Sequence, residues 1–231
     1  MKNIIFDVDD TIYNLMEPFE KTHNEMFADQ TDTDCEEIFK RSRVYSDEAF
    51  YMARQGKISH EEEFAYRIQK TYADEGIEVS KEKAKQFEER YRYHQKHIHV
   101  PEVIKTLLSE CKKQGKTMAV LTNGTALYQG KKLDNLKLAN WFDKDRMFIS
   151  DVIGYQKPDV RAFQTIQKIM NLNPEETWFV GDTFEVDVVG AKNAGWHVIW
   201  FNHRNRPMPE GDIRPDIEVR TAEELFDAIT K

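Results

Sequence analysis

The sequence predicts an α/β protein. Its Rossmann-like core contains a parallel sheet with helices on both faces, and an all-α domain is inserted after the first strand. Two observations lead to this fold class. Short apolar runs alternate with amphipathic stretches at both ends of the chain, whereas the segment between the first two runs has helical patterning throughout. Strands and helices in alternation form right-handed βαβ units, which build parallel sheets.

Six apolar runs are the predicted strands. In chain order they are KNIIFDV, KTMAVLT, RMFIS, TWFVGD, WHVIWFN and the weaker DIEVR. The stretches between them have helical patterns. One is PEVIKTLLSECKKQG, which begins at Pro101 and ends at Gly115, as helices often do. Another is DVRAFQTIQKIMNL, whose apolar residues lie on one face.

Residues 14–97 form the predicted insert. They are rich in Glu, Lys, Arg and Gln, carry aromatic residues at helical spacing, and contain no β-branched run. A segment of this length exceeds an ordinary connecting loop, so we expect a small domain of four helices whose aromatic side chains mostly form its own core. The predicted organisation is therefore a core of residues 1–13 and 98–231 and a helical domain of residues 14–97.

Composition limits the classes of partner. The chain has 231 residues and a formal charge of −8, from 41 acidic and 33 basic residues. A net acidic protein has no global attraction to nucleic acid or to an anionic membrane, so we expect neither as a partner.

Cys35 and Cys111 lie far apart and are expected to be reduced thiols. The first apolar run is too short for a signal peptide, and no run approaches the roughly 20 residues of a membrane span. We expect a cytoplasmic protein, either a monomer or a weak homodimer.

Polar residues follow four of the predicted strands. Ligands of open parallel sheets bind beyond the carboxyl ends of the strands, so these residues are expected to meet at one edge. They are Asp7, Asp9 and Thr11 after the first strand, Thr122, Asn123 and Gly124 after the second, Lys157 after the third, and Asp182 and Asp187 after the fourth. Carboxylates crowded at one edge repel each other, which indicates that a cation is meant to bind among them.

These segments resemble the motifs of a known family. DVDDT, LTNG, KPDVRAF and GDTFEVDVVGAKNAGW follow one another as they do in phosphatases of the haloacid dehalogenase superfamily that carry a helical C1-type cap. One such pattern is weak, but four in the same order are specific. The resemblance implies a Mg²⁺-dependent phosphomonoester hydrolase that acts on a small phosphorylated metabolite through an aspartyl-phosphate intermediate. It also implies that residues 14–97 are the cap.

The resemblance also implies a role for each site residue. Asp7 is the expected nucleophile, and Asp9 is the expected general acid, which later becomes the base. The expected Mg²⁺ ligands are the carboxylates of Asp7 and Asp182 and the backbone carbonyl of Asp9, with Asp187 supporting them from a second layer. Thr122 and Lys157 are expected to assist catalysis at the phosphoryl group, and Asn123 and Gly124 are expected to bind the substrate.

Two segments of the sequence bear on the identity of the substrate. The loop WFNHRNRP and the LTNG motif are similar to those of bacterial house-cleaning 5′-nucleotidases of this superfamily, which favours a nucleoside 5′-monophosphate. A phosphosugar phosphatase, a phosphomutase and a non-catalytic phosphate-binding relative are the alternatives. The loop itself, with Asn202, His203, Arg204 and Arg206, could contact the leaving group or be an ordinary solvated loop.

Overall fold

The structure is a computed structural model that describes residues 1–59 and 61–231. The chain folds into two compact units. We call Met1–Asn14 together with His99–Lys231 the core unit, and Leu15–Ile98 the helical unit.

The core unit is built on a six-stranded sheet with the order β3-β2-β1-β4-β5-β6. Every neighbouring pair in it is parallel. The strands are β1 (Asn3–Phe6), β2 (Thr117–Thr122), β3 (Met147–Ile149), β4 (Thr177–Gly181), β5 (His197–Phe201) and β6 (Ile217–Val219). Each lies within one of the six predicted runs, and the predicted fold class is confirmed.

The described part of the chain has ten α-helices. The helical unit contains α1 (Glu17–Met26), α2 (Cys35–Arg54), α3 (Glu63–Ala73) and α4 (Lys81–Gln95). The core unit contains α5 (Glu102–Lys113), α6 (Ala126–Asn135), α7 (Ser150–Ile153), α8 (Val160–Met170), α9 (Val189–Asn193) and α10 (Ala222–Thr230), and a π-helical turn over Phe184–Val188 precedes α9. None of the described helices is long and apolar enough to cross a membrane.

Side-chain caps determine where several helices begin. A capping oxygen accepts a backbone N–H of the first turn, which would otherwise have no intrahelical partner. The capping residues are Asp34 before α2, Ser80 before α4, Thr125 before α6, Asp159 before α8 and Thr221 before α10. These short polar residues mark helix starts that can be read directly from the sequence.

Each unit has its own apolar core. In the core unit, the sheet packs against buried side chains of α8 and α9, with Phe163 in edge contact with both Phe179 and Trp196. In the helical unit, the rings of Phe27 and Tyr72 stack with centroids 3.8 Å apart. Of the aromatic residues in the predicted insert, Phe39, Tyr72, Phe87 and Tyr91 are buried, whereas Phe50 and Tyr51 are exposed. Burial of one such side chain contributes about 1.5–3 kcal/mol.

The strand order determines where the motifs meet. β1 lies between β2 and β4, so the carboxyl ends of these three parallel strands are neighbours at one edge of the sheet. Asp7 directly follows β1, and its backbone N–H donates to the carbonyl of Val180 in β4 at 2.8 Å. Asp182 directly follows β4. The two carboxylates are thereby placed on adjacent strand ends, at the position where the order of the sheet reverses.

Candidate active site

A buried ammonium group joins two of the predicted site carboxylates. Lys157 Nζ lies 2.6 Å from Asp7 Oδ1 and 2.7 Å from Asp187 Oδ1, and the Lys157 side chain is 2% exposed. Burial alone would lower the pKa of Lys157, but the adjacent Asp187 and Asp7 carboxylates raise it above its usual value. The ammonium is therefore charged, and it partly neutralises the two carboxylates that it touches.

Three buried carboxylates form one cluster. Oxygen atoms of Asp7, Asp182 and Asp187 all lie within 4.8 Å of one another. Among the predicted metal ligands, the structure thus brings together the Asp7 and Asp182 side chains. It adds the Asp187 carboxylate, which the sequence placed in a second layer. The Asp9 side chain instead contacts Lys132, Tyr13 and Gln129, and the role of its backbone carbonyl as a metal ligand stays a prediction.

Electrostatic repulsion is only partly relieved in this cluster. Burial raises the pKa of Asp7 to about 7, and Asp187 and Asp9 add to the increase while Lys157 opposes it. Burial and the neighbouring acids Asp187 and Asp7 also raise the pKa of Asp182 well above its usual value. Three buried carboxyl groups share one buried ammonium group, so a further cation would be strongly favoured here.

The turn after β4 is shaped so that Asp187 reaches the cluster. Within the π-helical turn, Asp187 Oδ2 accepts the backbone N–H of Thr183 at 3.0 Å. A Cβ atom on Gly181 would lie 2.4 Å from the same oxygen, so the close approach requires glycine at this position. On the other side, the indole N–H of Trp200 donates to the backbone carbonyl of Asp182 at 2.8 Å. Backbone contacts therefore hold both acids.

Asn123 contacts the backbone of Lys157. Its Nδ2 donates to the Lys157 carbonyl at 2.8 Å, and its Oδ1 accepts the Lys157 N–H at 2.9 Å. Both polar groups of the Asn123 side chain are used, so in this structure the amide positions Lys157. Gly124 has a φ of 141°, and its N–H donates to Ser150 Oγ at 3.0 Å. The predicted substrate-binding role of both residues stays a prediction.

Thr122 and Thr11 present buried hydroxyl groups that accept or donate no hydrogen bond within the part of the chain that the structure describes. Both residues are at most 3% exposed. A buried hydroxyl without a partner costs about 1–3 kcal/mol, so such groups usually have a ligand or water partner. Thr122 is the last residue of β2, and Asp7 directly follows the neighbouring strand β1. Its hydroxyl is suited to donate to an anion bound at this edge.

The Asp9 carboxylate is held by side chains that the sequence analysis did not single out. Lys132 Nζ lies 2.5 Å from Asp9 Oδ1 and 2.7 Å from Oδ2, Tyr13 OH donates to Oδ1 at 2.6 Å, and Gln129 Nε2 donates to Oδ2 at 3.1 Å. Burial would raise the pKa of Asp9, but the charge of Lys132 and these hydrogen bonds lower it below its usual value. A signal that could have indicated them is the spacing of Gln129 and Lys132, which lie three residues apart on α6.

The 200–209 loop is linked by side chains to Asp10, in the segment that follows β1. Arg204 forms a two-point ion pair with Asp10, with Nε 2.6 Å from Oδ2 and Nη2 2.7 Å from Oδ1. The ring of His203 lies 2.9 Å from the Asp10 carbonyl. Asn202 is buried and closes the loop through its bonds to the backbone of Arg206. Asp10 and Arg204 are therefore linked, a pairing that the sequence analysis did not predict.

One further arginine in this loop faces the acidic cluster. Arg206 Nη2 lies 3.4 Å from Asp182 Oδ2, and its side chain is 40% exposed. It is a partly solvated cation beside a predicted metal ligand, and nothing in its local sequence indicates that neighbour. Of the two interpretations of the loop, contact with a ligand is open to Arg206, whereas Asn202 and Arg204 are engaged within the protein.

The family model described as haloacid dehalogenase-like hydrolase matches residues 1–195. The chain belongs to this family. The match includes the first three motif segments and all but the last residue of the fourth. The carboxylates and the lysine of these segments are brought together at one edge of the sheet. The predicted family is thereby confirmed.

Two named phosphatases are similar to part of the chain. Glyceraldehyde 3-phosphate phosphatase of Pyrococcus furiosus is 38% identical over 104 residues, which are 45% of this chain and 42% of that protein. Pyrimidine 5′-nucleotidase YjjG of Escherichia coli is 32% identical over 115 residues, which are 49% of this chain and 50% of that protein. The chain thus spans half or less of the length of these two relatives.

A solved structure of the family covers the whole chain. The HAD-hydrolase YfnB from Bacillus subtilis, bound to magnesium, superimposes with a TM-score of 0.71 and 24% identity over 100% of this chain and 99% of that one. At this identity the likeness establishes the fold alone. It agrees with a parallel sheet core and a helical unit joined in this order along the chain.

Proposed function

We propose that the protein is a Mg²⁺-dependent phosphomonoester hydrolase whose nucleophile is Asp7. The observation that carries the proposal is the buried cluster of Asp7, Asp182 and Asp187 around the Lys157 ammonium. Such a cluster is costly in an apolar interior, and it is suited to a bound cation together with a phosphoryl group. Family membership and the phosphatase names of the relatives support the same reaction.

The reaction would proceed in two steps. Asp7 attacks phosphorus, the bond from phosphorus to the ester oxygen breaks, and Asp9 delivers a proton to that leaving oxygen. In the second step, Asp9 takes a proton from water while the water oxygen attacks the phosphorus of the aspartyl phosphate. Inorganic phosphate leaves and the Asp7 carboxylate is restored. Lys157 balances negative charge on the phosphoryl group, and the Thr122 hydroxyl is free to donate to a phosphoryl oxygen.

The donor set fits Mg²⁺. This hard cation prefers oxygen ligands and is usually bound through one or two carboxylates together with substrate phosphate oxygens. Asp7 and Asp182 would hold it, with the Asp9 carbonyl as a third protein ligand and the Asp187 carboxylate close by. A bound Mg²⁺ would supply charge that offsets the repulsion between the Asp7 carboxylate and an approaching phosphate dianion.

For the substrate, we propose a small phosphorylated metabolite and place nucleoside 5′-monophosphates first. The relative from Escherichia coli is named a pyrimidine 5′-nucleotidase, and the WFNHRNRP loop led to the same class. A short sugar or triose phosphate is the second candidate, because another relative is named a glyceraldehyde 3-phosphate phosphatase. We also propose that the helical unit, which interrupts the core unit between Asn14 and His99, is a cap that contributes to substrate choice.

Phosphate release from a panel of nucleoside monophosphates, sugar phosphates and p-nitrophenyl phosphate tests this proposal. We expect steady release in Mg²⁺ and loss of activity in excess EDTA, since the buried carboxylates need a cation before a phosphate dianion can approach. Calcium should inhibit, because it favours more ligands and can hold a carboxylate through both oxygens. Full activity in chelator would refute the mechanism, and release that stops after one equivalent would favour a phosphomutase.

Replacing Asp9 with asparagine is expected to slow turnover by roughly 10²- to 10⁴-fold, the usual contribution of general acid–base catalysis. The loss should be smaller for p-nitrophenyl phosphate than for an alkyl phosphate, because an aryl leaving group needs less protonation. Steady-state rates with both substrates at saturating Mg²⁺ provide the measurement. Equal losses on the two substrates would assign Asp9 to metal or phosphate binding instead of proton transfer.

A further inference from the structure

Helix α6 brings two polar side chains to the Asp9 carboxylate. Gln129 and Lys132 are three residues apart and therefore lie on the same face of the helix. Lys132 contacts both carboxylate oxygens, and Gln129 donates to Oδ2. The Lys132 side chain is 13% exposed and that of Asp9 is 25% exposed, so the pair is largely removed from solvent. A lysine in such a place has a specific partner and is not an ordinary surface charge.

We propose that Lys132 is a positioning residue that holds the Asp9 carboxylate in the orientation from which it exchanges a proton with the leaving oxygen. This inference rests on the proposed function, in which Asp9 is the general acid and base. It assigns Lys132 no contact with the substrate. Its role is exerted through Asp9 alone.

The hydrogen-bond geometry supports an orienting role. Asp9 Oδ1 is shared by Lys132 Nζ and by the hydroxyl of Tyr13, at 2.5 and 2.6 Å. Asp9 Oδ2 is shared by Lys132 Nζ and by Gln129 Nε2, at 2.7 and 3.1 Å. Donors on both oxygens prevent free rotation of the carboxylate. The contact from Gln129 is the longest of the four, so Oδ2 is the oxygen that can exchange a donor for the leaving group.

Residues before and within α6 support the contacts that Gln129 and Lys132 make to Asp9. Gln129 Nε2 also donates to the carbonyl of Asn123 at 2.7 Å, which ties Asp9 to the segment after β2. A Cβ atom on Gly124 would lie 2.8 Å from the same nitrogen, so glycine makes room for the Gln129 side chain. The Thr125 hydroxyl caps α6 and fixes its first turn. Asp9, the LTNG segment and Lys132 are thus one connected network.

In the chemical step, Asp9 would first take up a proton on Oδ2 as Lys132 Nζ releases that oxygen. The proton would then pass to the ester oxygen while the bond to phosphorus breaks and its electron pair stays on that oxygen. Lys132 stays with Oδ1 throughout. Accurate placement of a proton donor matters only when the leaving group requires the proton. A loss of placement should therefore slow reactions with poor leaving groups selectively, whereas a damaged fold or phosphate site would slow all substrates together.

The test compares Lys132→Met with wild type on two substrates, an alkyl phosphate such as glycerol phosphate and p-nitrophenyl phosphate. Methionine retains an unbranched side chain of similar length and removes the ammonium group. We expect kcat for the alkyl phosphate to fall by about 10- to 100-fold, a part of the usual acid–base contribution, with KM nearly constant. The aryl phosphate should lose less than about 5-fold. Lys132→Arg should restore most of the lost rate, since arginine also contacts both oxygens of a carboxylate.

Lys131→Met is the matched control, because Lys131 is the exposed neighbour of Lys132 on the same helix. It should behave as wild type on both substrates. If Lys132→Met does not fold, Tyr13→Phe removes a single donor from Asp9 Oδ1 and should show the same selectivity at smaller amplitude. Equal losses on the two substrates, or wild-type kinetics in Lys132→Met, would overturn the inference.

A second readout does not depend on turnover. In crystal structures of wild type and Lys132→Met obtained under the same conditions, the Asp9 carboxylate should leave its place beside Gln129 and Tyr13 in the variant only. An unchanged carboxylate would refute the positioning role even if the enzyme were active. Conversely, a wild-type protein that releases phosphate from no member of the panel of phosphate esters in Mg²⁺ would refute the proposed function, and the crystal comparison would still decide the inference.

Discussion

Asparagine in place of Asp7 is expected to abolish phosphate release while leaving the fold intact. The amide cannot form an acyl phosphate, so no first step remains. Asparagine has the same shape as aspartate, and it retains an oxygen that can accept a hydrogen bond from Lys157 Nζ, now 2.6 Å from Asp7 Oδ1. Phosphate release with saturating Mg²⁺ is the measurement. More than a few percent of wild-type activity in freshly purified, undeamidated protein would refute the nucleophile assignment.

The same variant makes a prediction about stability. Burial raises the pKa of Asp7 to about 7, above its value in the unfolded chain. The folded state then binds the proton more tightly than the unfolded state. This contribution to stability is fully present below about pH 4 and is lost as the pH rises through about 7. In EDTA, the free energy of unfolding of Asp7→Asn relative to wild type should therefore increase between pH 5 and pH 8.

Chemical denaturation at the two pH values measures this difference. Asp134→Asn is the control, since Asp134 is an exposed residue of α6 and its substitution should leave the pH dependence unchanged. Mg²⁺ should stabilise wild type by more than it stabilises Asp7→Asn, because the variant has lost one of the charged ligands. If the variant were less stable than wild type at pH 8 without metal, attraction to Lys157 would outweigh the cost of burying the Asp7 charge.

The elements of the fold could be predicted because their signals are local. Each strand is a short apolar run, and capping residues such as Asp34, Ser80 and Thr221 stand directly before the helices that they begin. The prediction that Asp7 and Lys157 belong to one site, although they are 150 positions apart, came from the rule that ligands bind beyond the carboxyl ends of parallel strands, and the order of the motifs in a family supported it. Local patterning alone could not have paired them, because it carries no information on contacts between distant segments.

The sequence analysis missed two kinds of feature at the site. One is the ion pairs between residues far apart in the chain, and the other is the close packing of a side chain against the backbone. Arg204 and Asp10 are 194 positions apart, and Lys132 and Asp9 are 123 positions apart. In the sequence, each of these basic residues looks like an ordinary solvated charge in a loop or on a helix. The need for Gly181 is equally hidden, since it depends on where the Asp187 carboxylate arrives after a π-helical turn. These contacts depend on the three-dimensional course of the backbone, which no local sequence pattern specifies.

Lys157→Met is expected to abolish activity and also to produce the largest loss of stability of any single change at the site. Lys157 Nζ lies within 2.7 Å of both Asp7 and Asp187. Its removal leaves buried carboxylates without their cation, and breaking a buried ion pair in this way typically costs about 3–5 kcal/mol. Denaturation at pH 7 in EDTA measures the loss. Lys168→Met, at an exposed position of α8, is the control and should be close to wild type.

The pH and metal dependence of that loss separates electrostatics from packing. Without Lys157, the main influence that lowers the pKa of Asp7 is gone, so this carboxyl group should remain protonated to higher pH than in wild type. The loss of stability should therefore be smaller at pH 5 than at pH 8, and Mg²⁺ at pH 8 should recover part of it.

A second substitution, Asp187→Asn, removes one of the two charges that Lys157 neutralised. The double variant should consequently be more stable than Lys157→Met alone. A deficit that is the same at both pH values and is unaffected by the second substitution would mean that Lys157 stabilises the fold mainly by filling space against the ring of Phe179, 5.1 Å from its ammonium.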